Sequence, residues 1–122
     1  MSMIKDIKEF HKKFGIAYQG PPRQLPLDLQ EFRIKFIEEE LNEYKKACES
    51  GNIPEQFDAL IDLIYVTLGA AHLHGFPFKE GWKEVHKTNM AKRKSTPEDK
   101  ARHSSDIVKP EGWTPPDRDW ET

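Results

Sequence analysis

FDALIDLIYVTLGAAHL, residues 57–73, is the stretch that decides the fold. It contains no Lys or Arg and is apolar on most sides of a helix, so we predict that it forms the central helix of an all-α protein. Its apolar face has four residues at helical spacing: Phe57, Ile61, Ile64 and Leu68. A stripe beside that face has four others: Asp58, Asp62, Tyr65 and Gly69. Two acids therefore border the predicted core.

The preceding helical segment carries a second acidic set, Glu39-Glu40-Leu41-Asn42-Glu43. At about 100° per residue on a helical wheel, six apolar residues define one arc: Phe36, Ile37, Leu41, Tyr44, Ala47 and Cys48. Glu40 falls inside this arc and Glu43 at its edge, so we expect Glu40 to point inward. Ionised carboxylates that leave water are costly unless they are protonated, paired with cations or bound to metal.

Two acidic sets on successive helices, without nearby bases, favour a hard divalent cation such as Mg²⁺ or Mn²⁺, which takes oxygen ligands. The alternative is a solvated charged face, because Glu favours helices and Lys45 and Lys46 are close in sequence. The presence of the second acidic set, beside another apolar face, makes the metal interpretation the stronger one.

The pattern predicts four helices and a tail. We expect helices over residues 3–14, 28–49, 54–74 and 77–93, with an Asp28/Glu31 capping box on the second and Gly75 as the C-cap of the third. From Ser95 onward, repeated prolines and charges predict an extended tail, ordered by Trp113 or Trp120. No alternation is long enough for a sheet. The predicted fold is a four-helix-type bundle over 1–94 with an extended Pro-rich C-terminal tail over 95–122.

Composition limits the function classes. The chain has 122 residues, 36% hydrophobic and 33% charged, which predicts one small domain that buries part of its apolar surface between subunits. A net charge of -2 gives no basic footprint for duplex nucleic acid. The most apolar stretch, residues 59–73, is short and flanked by Asp, so we expect no membrane span and a cytoplasmic protein. Cys48 is expected to be a small core residue.

Two further groups suggest contacts with a ligand. Lys87, Asn89, Lys92 and Arg93 combine cations with an amide and could bind a polyphosphate, although cations at a helix end also favour the helix dipole. The first helix offers Phe10, His11 and Phe14 for stacking on a nucleobase, with ordinary core packing as the alternative.

His72 and His74 do not follow a Glu at Glu-x-x-His spacing, so a di-iron site is a poor fit. We expect both to pack or cap near Gly75.

Three segments in this order carry a family resemblance: Phe36-Ile-Glu-Glu39-Glu40-Leu-Asn-Glu43, Asp58-Ala-Leu-Ile-Asp62-Leu-Ile-Tyr65-Val, and Val85-His-Lys87-Thr-Asn89-Met-Ala-Lys92. Over residues 3–94 the chain resembles the all-α nucleoside triphosphate pyrophosphohydrolases, which include MazG-like proteins, dimeric dUTPases and phosphoribosyl-ATP pyrophosphohydrolase. It is most similar to the small single-domain MazG-like or phosphoribosyl-ATP-pyrophosphohydrolase-like members.

The resemblance implies a helical bundle, often a dimer or tetramer, that holds Mg²⁺ and cleaves a nucleoside triphosphate into monophosphate and pyrophosphate. It implies metal binding by Glu40, Glu43 and Asp62, with Glu39 as a further ligand or the catalytic base. It gives Asn89 and Lys92 the best support among the phosphate-binding candidates. A different class of function, a non-catalytic helical module that binds a cation or nucleotide and docks a partner, is the alternative.

The chain departs from the family pattern at Ala59, which lies three residues before Asp62, where the family has a Glu. Asp58 could substitute for that Glu, or Glu55 and Asp58 could satisfy the pattern one turn upstream. We favour Asp58 with Asp62, because both share a stripe with Gly69, whose small size would leave room for substrate.

Overall fold

The computed structural model describes residues 2–116. Its helices are α1 (Met3–Lys13), α2 (Leu27–Glu49), α3 (Ile53–His74) and α4 (Phe78–Met90), and its strands are β1 (Arg93–Lys94) and β2 (Ile107–Val108), with a 3-10 turn at Pro97–Asp99. The all-α prediction is confirmed. The chain divides into two compact units, the first ending at Phe76 and the second beginning at Pro77. The structure thus groups α4 with the segment that follows it, and the domain boundary at residue 94 stays a prediction.

The helix ends follow local chemistry. Asn52 caps α3 by accepting a hydrogen bond from the Glu55 backbone N–H at 3.1 Å. Gly75 ends α3 in the left-handed region, with φ of 73°, as predicted. The capping box predicted at Asp28 is wrong: α2 begins at Leu27 after Pro26, and no side chain caps it.

A three-residue loop, residues 50–52, turns α2 back along α3 as an antiparallel hairpin. Residues equidistant from Gly51 then face each other, which pairs Glu40 with Asp62 and Arg33 with Gly69. α1 packs on α3. α3 therefore contacts both other helices of the first unit, as its apolar composition predicted.

The buried face of α3 is not the one predicted. Ala59, Val66, Gly69 and Leu73 are buried at helical spacing. The predicted face is largely exposed, with Phe57 at 69% and Ile61 and Ile64 at nearly half; only its Leu68 is buried. A helix in a hairpin buries only the stripe that meets its neighbours, so a helix apolar on most sides keeps an uncovered apolar face.

On α2 the predicted core arc is buried only in part. Ala47 is buried, and Phe36, Ile37 and Tyr44 are half-buried. Leu41 and Cys48 are exposed, so the prediction that Cys48 is a core residue is wrong. The arc is wider than the contact with α3, and its margins remain in solvent.

The extended tail predicted from residue 95 onward takes part in one short strand pairing that the sequence did not indicate. Residues 93–94 pair antiparallel with residues 107–108, so the chain after α4 folds back on itself. Two-residue strands leave no alternating pattern for sequence reasoning to detect. The side chain of Trp113 donates from Nε1 to the Thr88 carbonyl at 2.7 Å, which confirms that Trp113 orders this segment. Trp120 lies outside the described residues.

Among residues 2–116, no single helix is long and apolar enough to cross a membrane. Only α3 and α4 counted together, across the break between them, reach that length and hydropathy.

Candidate functional site

Five carboxylates form a cluster in the α2–α3 hairpin: Glu39, Glu40 and Glu43 on α2, and Asp58 and Asp62 on α3. Glu40 lies near the other four. Partial burial raises the pKa of Glu40, and the charges of its neighbours, with Asp62 the strongest, raise it further. Glu40 is half-buried while the other four are exposed. The expectation that Glu40 points inward is confirmed, and both acidic sets meet at one place. Asp58 is among the charges that raise this pKa and Glu55 is not, and the choice of Asp58 over Glu55 as a metal ligand stays a prediction.

The negative charge of this cluster is not balanced by the protein. The ion pairs in the described part of the chain join Arg93 to Asp99 and Arg102 to Asp106, and none involves the five acids. A half-buried carboxylate surrounded by four exposed ones without a compensating cation suits a hard divalent cation, which prefers oxygen ligands. The side chains as they stand do not form a preformed group of three or more metal ligands within residues 2–116. The donor chemistry thus fits Mg²⁺, and binding requires the flexible Glu and Asp side chains to converge.

A cleft of about 270 Å³ opens beside the acidic cluster. Glu40 and Asp62 form its acidic end. Its other lining residues are aromatic, apolar or basic, and come from all three helices of the first unit: Phe10, His11, Arg33, Phe36, Tyr65 and Val66. A small cleft with aromatic walls and a few polar groups is typical of a site for a small ligand.

Arg33 is the residue that sequence reasoning missed. It lies on α2 two turns before Glu40, on the same helix face, and only 7% of it is exposed. Its Nε atom is enclosed without a hydrogen-bond partner, and burial lowers the pKa of the guanidinium. The available signal was its position seven residues from Glu40 inside the same arc.

Gly69 makes room for Arg33. A Cβ atom at Gly69 would lie 2.9 Å from Nη1 of Arg33 and 3.3 Å from Nε2 of His11. The prediction that Gly69 leaves room for substrate is therefore wrong, because side chains of α2 and α1 fill that space. Gly69 is instead the reason that a guanidinium fits between the helices.

Of the three candidates on α1, two line the cleft. His11 is 2% exposed, and burial, followed by the charges of His72 and Arg33, lowers its pKa to about 4. It is therefore neutral at pH 7. Phe10 is half-exposed and meets Tyr65 edge-to-face, with ring centroids 5.4 Å apart. Phe14 does not line the cleft but packs on Phe10 at 5.0 Å.

His72 and His74 have structural contacts, as predicted. His72 is buried, and its Nε2 accepts a hydrogen bond from the Tyr18 backbone N–H at 3.2 Å. Its ring lies 4.8 Å from that of His11. His74 donates from Nδ1 to the Arg23 carbonyl at 2.8 Å, which anchors the loop between α1 and α2.

The four predicted phosphate-binding residues lie in the second unit. Lys87 and Asn89 are exposed on α4. Lys92 lies over the Trp113 ring, with Nζ 5.2 Å from its centroid. Arg93 makes two hydrogen bonds to Asp99, at 2.8 and 3.0 Å, and holds the pKa of that carboxyl well below its usual range. The charge of Arg93 is thus already paired, and the phosphate role of all four stays a prediction.

Comparison with known proteins adds to this geometry. No curated protein matches the chain. Residues 7–89 match the family described as phosphoribosyl-ATP pyrophosphohydrolase, PRA-PH. This match covers more than half of the chain and includes the five clustered acids and the lining of the cleft. The protein therefore belongs to the phosphoribosyl-ATP pyrophosphohydrolase family, a family of all-α hydrolases of the MazG-like type.

Proposed function

We propose that the protein is a Mg²⁺-dependent pyrophosphohydrolase that cleaves a nucleoside triphosphate, or a related nucleotide, into the monophosphate and pyrophosphate. The observation that carries this proposal is the cluster of five carboxylates, which form no ion pair with residues 2–116, at the end of an aromatic cleft. Family membership supports the reaction class. Acids without the cleft would suggest cation binding alone, whereas the two together suit a phosphorylated aromatic ligand.

The metal would be held by Glu40, Glu43, Asp58 and Asp62, with Mn²⁺ able to replace Mg²⁺. When bound, the cation neutralises phosphate oxygens and lowers the pKa of a coordinated water. Glu39, exposed at the rim of the cluster, is proposed to accept the proton of the attacking water on its carboxylate. Glu40 shares in catalysis by orienting that water.

The nucleotide would lie with its phosphates at the acidic end and its base in the cleft, where Phe10 and Tyr65 offer ring faces and edges. Lys87, Asn89 and Lys92 are proposed to contact the phosphates, and Arg93 would do so in exchange for Asp99.

We further propose that the active form is a homodimer or homotetramer. The uncovered apolar residues of α2 and α3 include Phe32, Leu41, Phe57, Ile61 and Ile64, each about half-exposed or more. Phe57, Ile61 and Ile64 share one face of α3, and exposed apolar surface of this kind marks protein contact sites. Because nucleoside triphosphates are intracellular metabolites, the cytoplasm is the proposed compartment.

The test is pyrophosphate release from a panel of ribo- and deoxyribonucleoside triphosphates and phosphoribosyl-ATP, with Mg²⁺ and with chelator. Release that requires Mg²⁺ and is lost in Glu40→Gln, but kept in Glu38→Gln, is expected. Glu38 is an exposed acid on the same helix and is not among the charges that raise the pKa of Glu40, so it controls for loss of one charge. Cation-induced thermal stabilisation with no release from any nucleotide would instead favour the non-catalytic binding module.

A further inference from the structure

We propose that Arg33 determines base specificity, by donating hydrogen bonds to a carbonyl oxygen on the edge of the nucleobase that lies farthest from the ribose. The cleft would then prefer keto bases, such as hypoxanthine, guanine and uracil, over their amino counterparts adenine and cytosine. This inference rests on the proposed function, since it assigns the base to the cleft beside the acidic cluster.

The first step is that Arg33 has no hydrogen-bond or ion-pair partner among residues 2–116. It is more than nine-tenths buried, and no residue in the described part of the chain forms an ion pair or a hydrogen bond with its guanidinium. Its Cζ lies over the rings of Phe32 and Phe36, 5.6 and 5.7 Å from their centroids, so the guanidinium meets ring faces there instead of acceptors. Its Nε atom is enclosed without an acceptor, and an acceptor supplied by a ligand in the cleft would offset part of the cost of burying this side chain.

The second step is that Arg33 faces the cleft. It lines the same cavity as Phe10, Tyr65 and Glu40, and Gly69 permits its guanidinium to lie against α3. Within the described residues 2–116, no other Lys or Arg lines this cavity. A ligand acceptor in the cleft therefore has one strong cationic donor to meet.

The third step is distance. Arg33 precedes Glu40 by seven residues of α2, which places the two about 10 Å apart along the helix axis. A nucleotide whose phosphates lie at the acidic end would therefore direct the far edge of its base toward Arg33. That edge carries position 6 of a purine or position 4 of a pyrimidine, which is a carbonyl in keto bases and an amino group in adenine and cytosine.

The fourth step is the donor count. Arginine has only donors, so it pairs with a carbonyl oxygen and repels an amino group. Arg is the usual partner of the O6 and N7 acceptors of guanine. A phosphate would suit a cluster of several donors, whereas the walls here are Phe10, Phe36, Tyr65 and Val66. The aromatic lining therefore favours a base over a second phosphate.

The experiment uses two pairs of substrates that differ only at the decisive position: inosine against adenosine triphosphate, and uridine against cytidine triphosphate. For each pair, the ratio of kcat/KM for the keto over the amino substrate is measured in the native protein, in Arg33→Met and in Lys35→Met. Lys35 is exposed on the same helix, so its variant controls for the loss of one positive charge.

We expect the native protein and Lys35→Met to prefer the keto member of each pair by roughly tenfold to hundredfold, and Arg33→Met to bring both ratios close to one. Equal ratios in all three proteins would overturn the inference while leaving the proposed function intact. Failure of the proposed function has a different signature, since the native protein would then release no pyrophosphate from any substrate.

A second readout separates recognition from a structural role. Arg33→Met removes an unpaired buried guanidinium and keeps an apolar side chain of similar length. If Arg33 serves the ligand, the thermal midpoint without ligand stays equal or rises. A lower midpoint together with an unchanged keto preference would identify Arg33 as a packing residue and refute the inference. Should Arg33→Met not fold, Arg33→Gln provides the same test, because the glutamine amide removes the charge and offers both a donor and an acceptor, so it does not discriminate a carbonyl from an amino group.

Discussion

The repulsion around Glu40 leads to a prediction that needs no knowledge of the substrate. Without metal, the ionised Glu40 lies near four other carboxylates and its pKa is raised, so its charge destabilises the folded state at neutral pH. Replacing Glu40 with Gln keeps the shape and the helix propensity and removes the charge. Glu40→Gln is therefore expected to be more stable than the native protein in chelator.

The size of the effect follows from Coulomb's law. Charges on adjacent helical turns lie about 6 Å apart and interact by about 0.7 kcal/mol in water, or about 0.4 kcal/mol in 0.1 M salt. Four neighbours, not all at the shortest distance, therefore contribute about 1 kcal/mol. For a chain of 122 residues, that free energy corresponds to a rise in Tm of about 4 °C.

Added Mg²⁺ is expected to reverse the order of stability. At a concentration ten times its Kd, the cation stabilises the native protein by about 1.4 kcal/mol, and Glu40→Gln loses most of that gain. Thermal unfolding is followed by circular dichroism in chelator and in Mg²⁺ for the native protein, Glu40→Gln and the control Glu38→Gln. A lower Tm for Glu40→Gln in chelator, or an equal rise for Glu38→Gln, would refute the idea of an uncompensated charge cluster.

Three further predictions concern stability. The pKa of His11 is depressed, about 4 in the folded state against 6.5 in the unfolded chain, so between these pH values the unfolded chain binds a proton that the folded protein does not. The contribution of neutral His11 to the free energy of unfolding is therefore fully present above pH 6.5 and is lost toward pH 4, a decrease of about 1–2 kcal/mol after allowance for solvent in the cleft. Urea unfolding between pH 7.5 and 4.5 measures this, and His11→Gln should flatten the profile. Gly69→Ala should change the free energy of unfolding by about 1 kcal/mol less favourably than Gly81→Ala, because both variants gain helix propensity but only the Cβ at position 69 meets Arg33 and His11. Chemical denaturation of both variants measures this difference, and equal effects would contradict the close contact at Gly69. Trp113→Ala should speed proteolysis between residues 95 and 112 several-fold, since it loses both the Thr88 hydrogen bond and the contact with Lys92. Trp113→Phe keeps an aromatic ring beside Lys92 and loses only the hydrogen bond, so it should show a smaller change. Identical digestion of both variants and the native protein would refute the role of Trp113 in ordering this segment.

The helices were accessible from sequence because their signals are local. Apolar spacing placed α1, α3 and α4 within a few residues of their observed ends, and Gly75 marked the end of α3 through its left-handed backbone. The acidic set at Glu40 was also readable, since a carboxylate inside an apolar arc is unusual on any helix. The family resemblance rests on these same segments and needs no tertiary information.

Which face of α3 is buried could not be read in the same way. The helix is apolar on most sides, so periodicity offered Phe57, Ile61 and Ile64 as the core, whereas the short loop at Gly51 turned the stripe of Ala59, Val66 and Gly69 toward α2. Small residues allow close helix approach but give almost no hydropathy signal. The choice between two apolar faces is made by the partner helix.

The sequence alone therefore determined an all-α chain with two acidic sets on successive helices, because each of these features is encoded within a few turns of one segment. Only the tertiary structure decided that the acids meet around Glu40 and that Arg33 lies buried against Gly69, with its Nε atom unpaired among residues 2–116. Both results depend on the register between α2 and α3, and register is a property of two helices packed together.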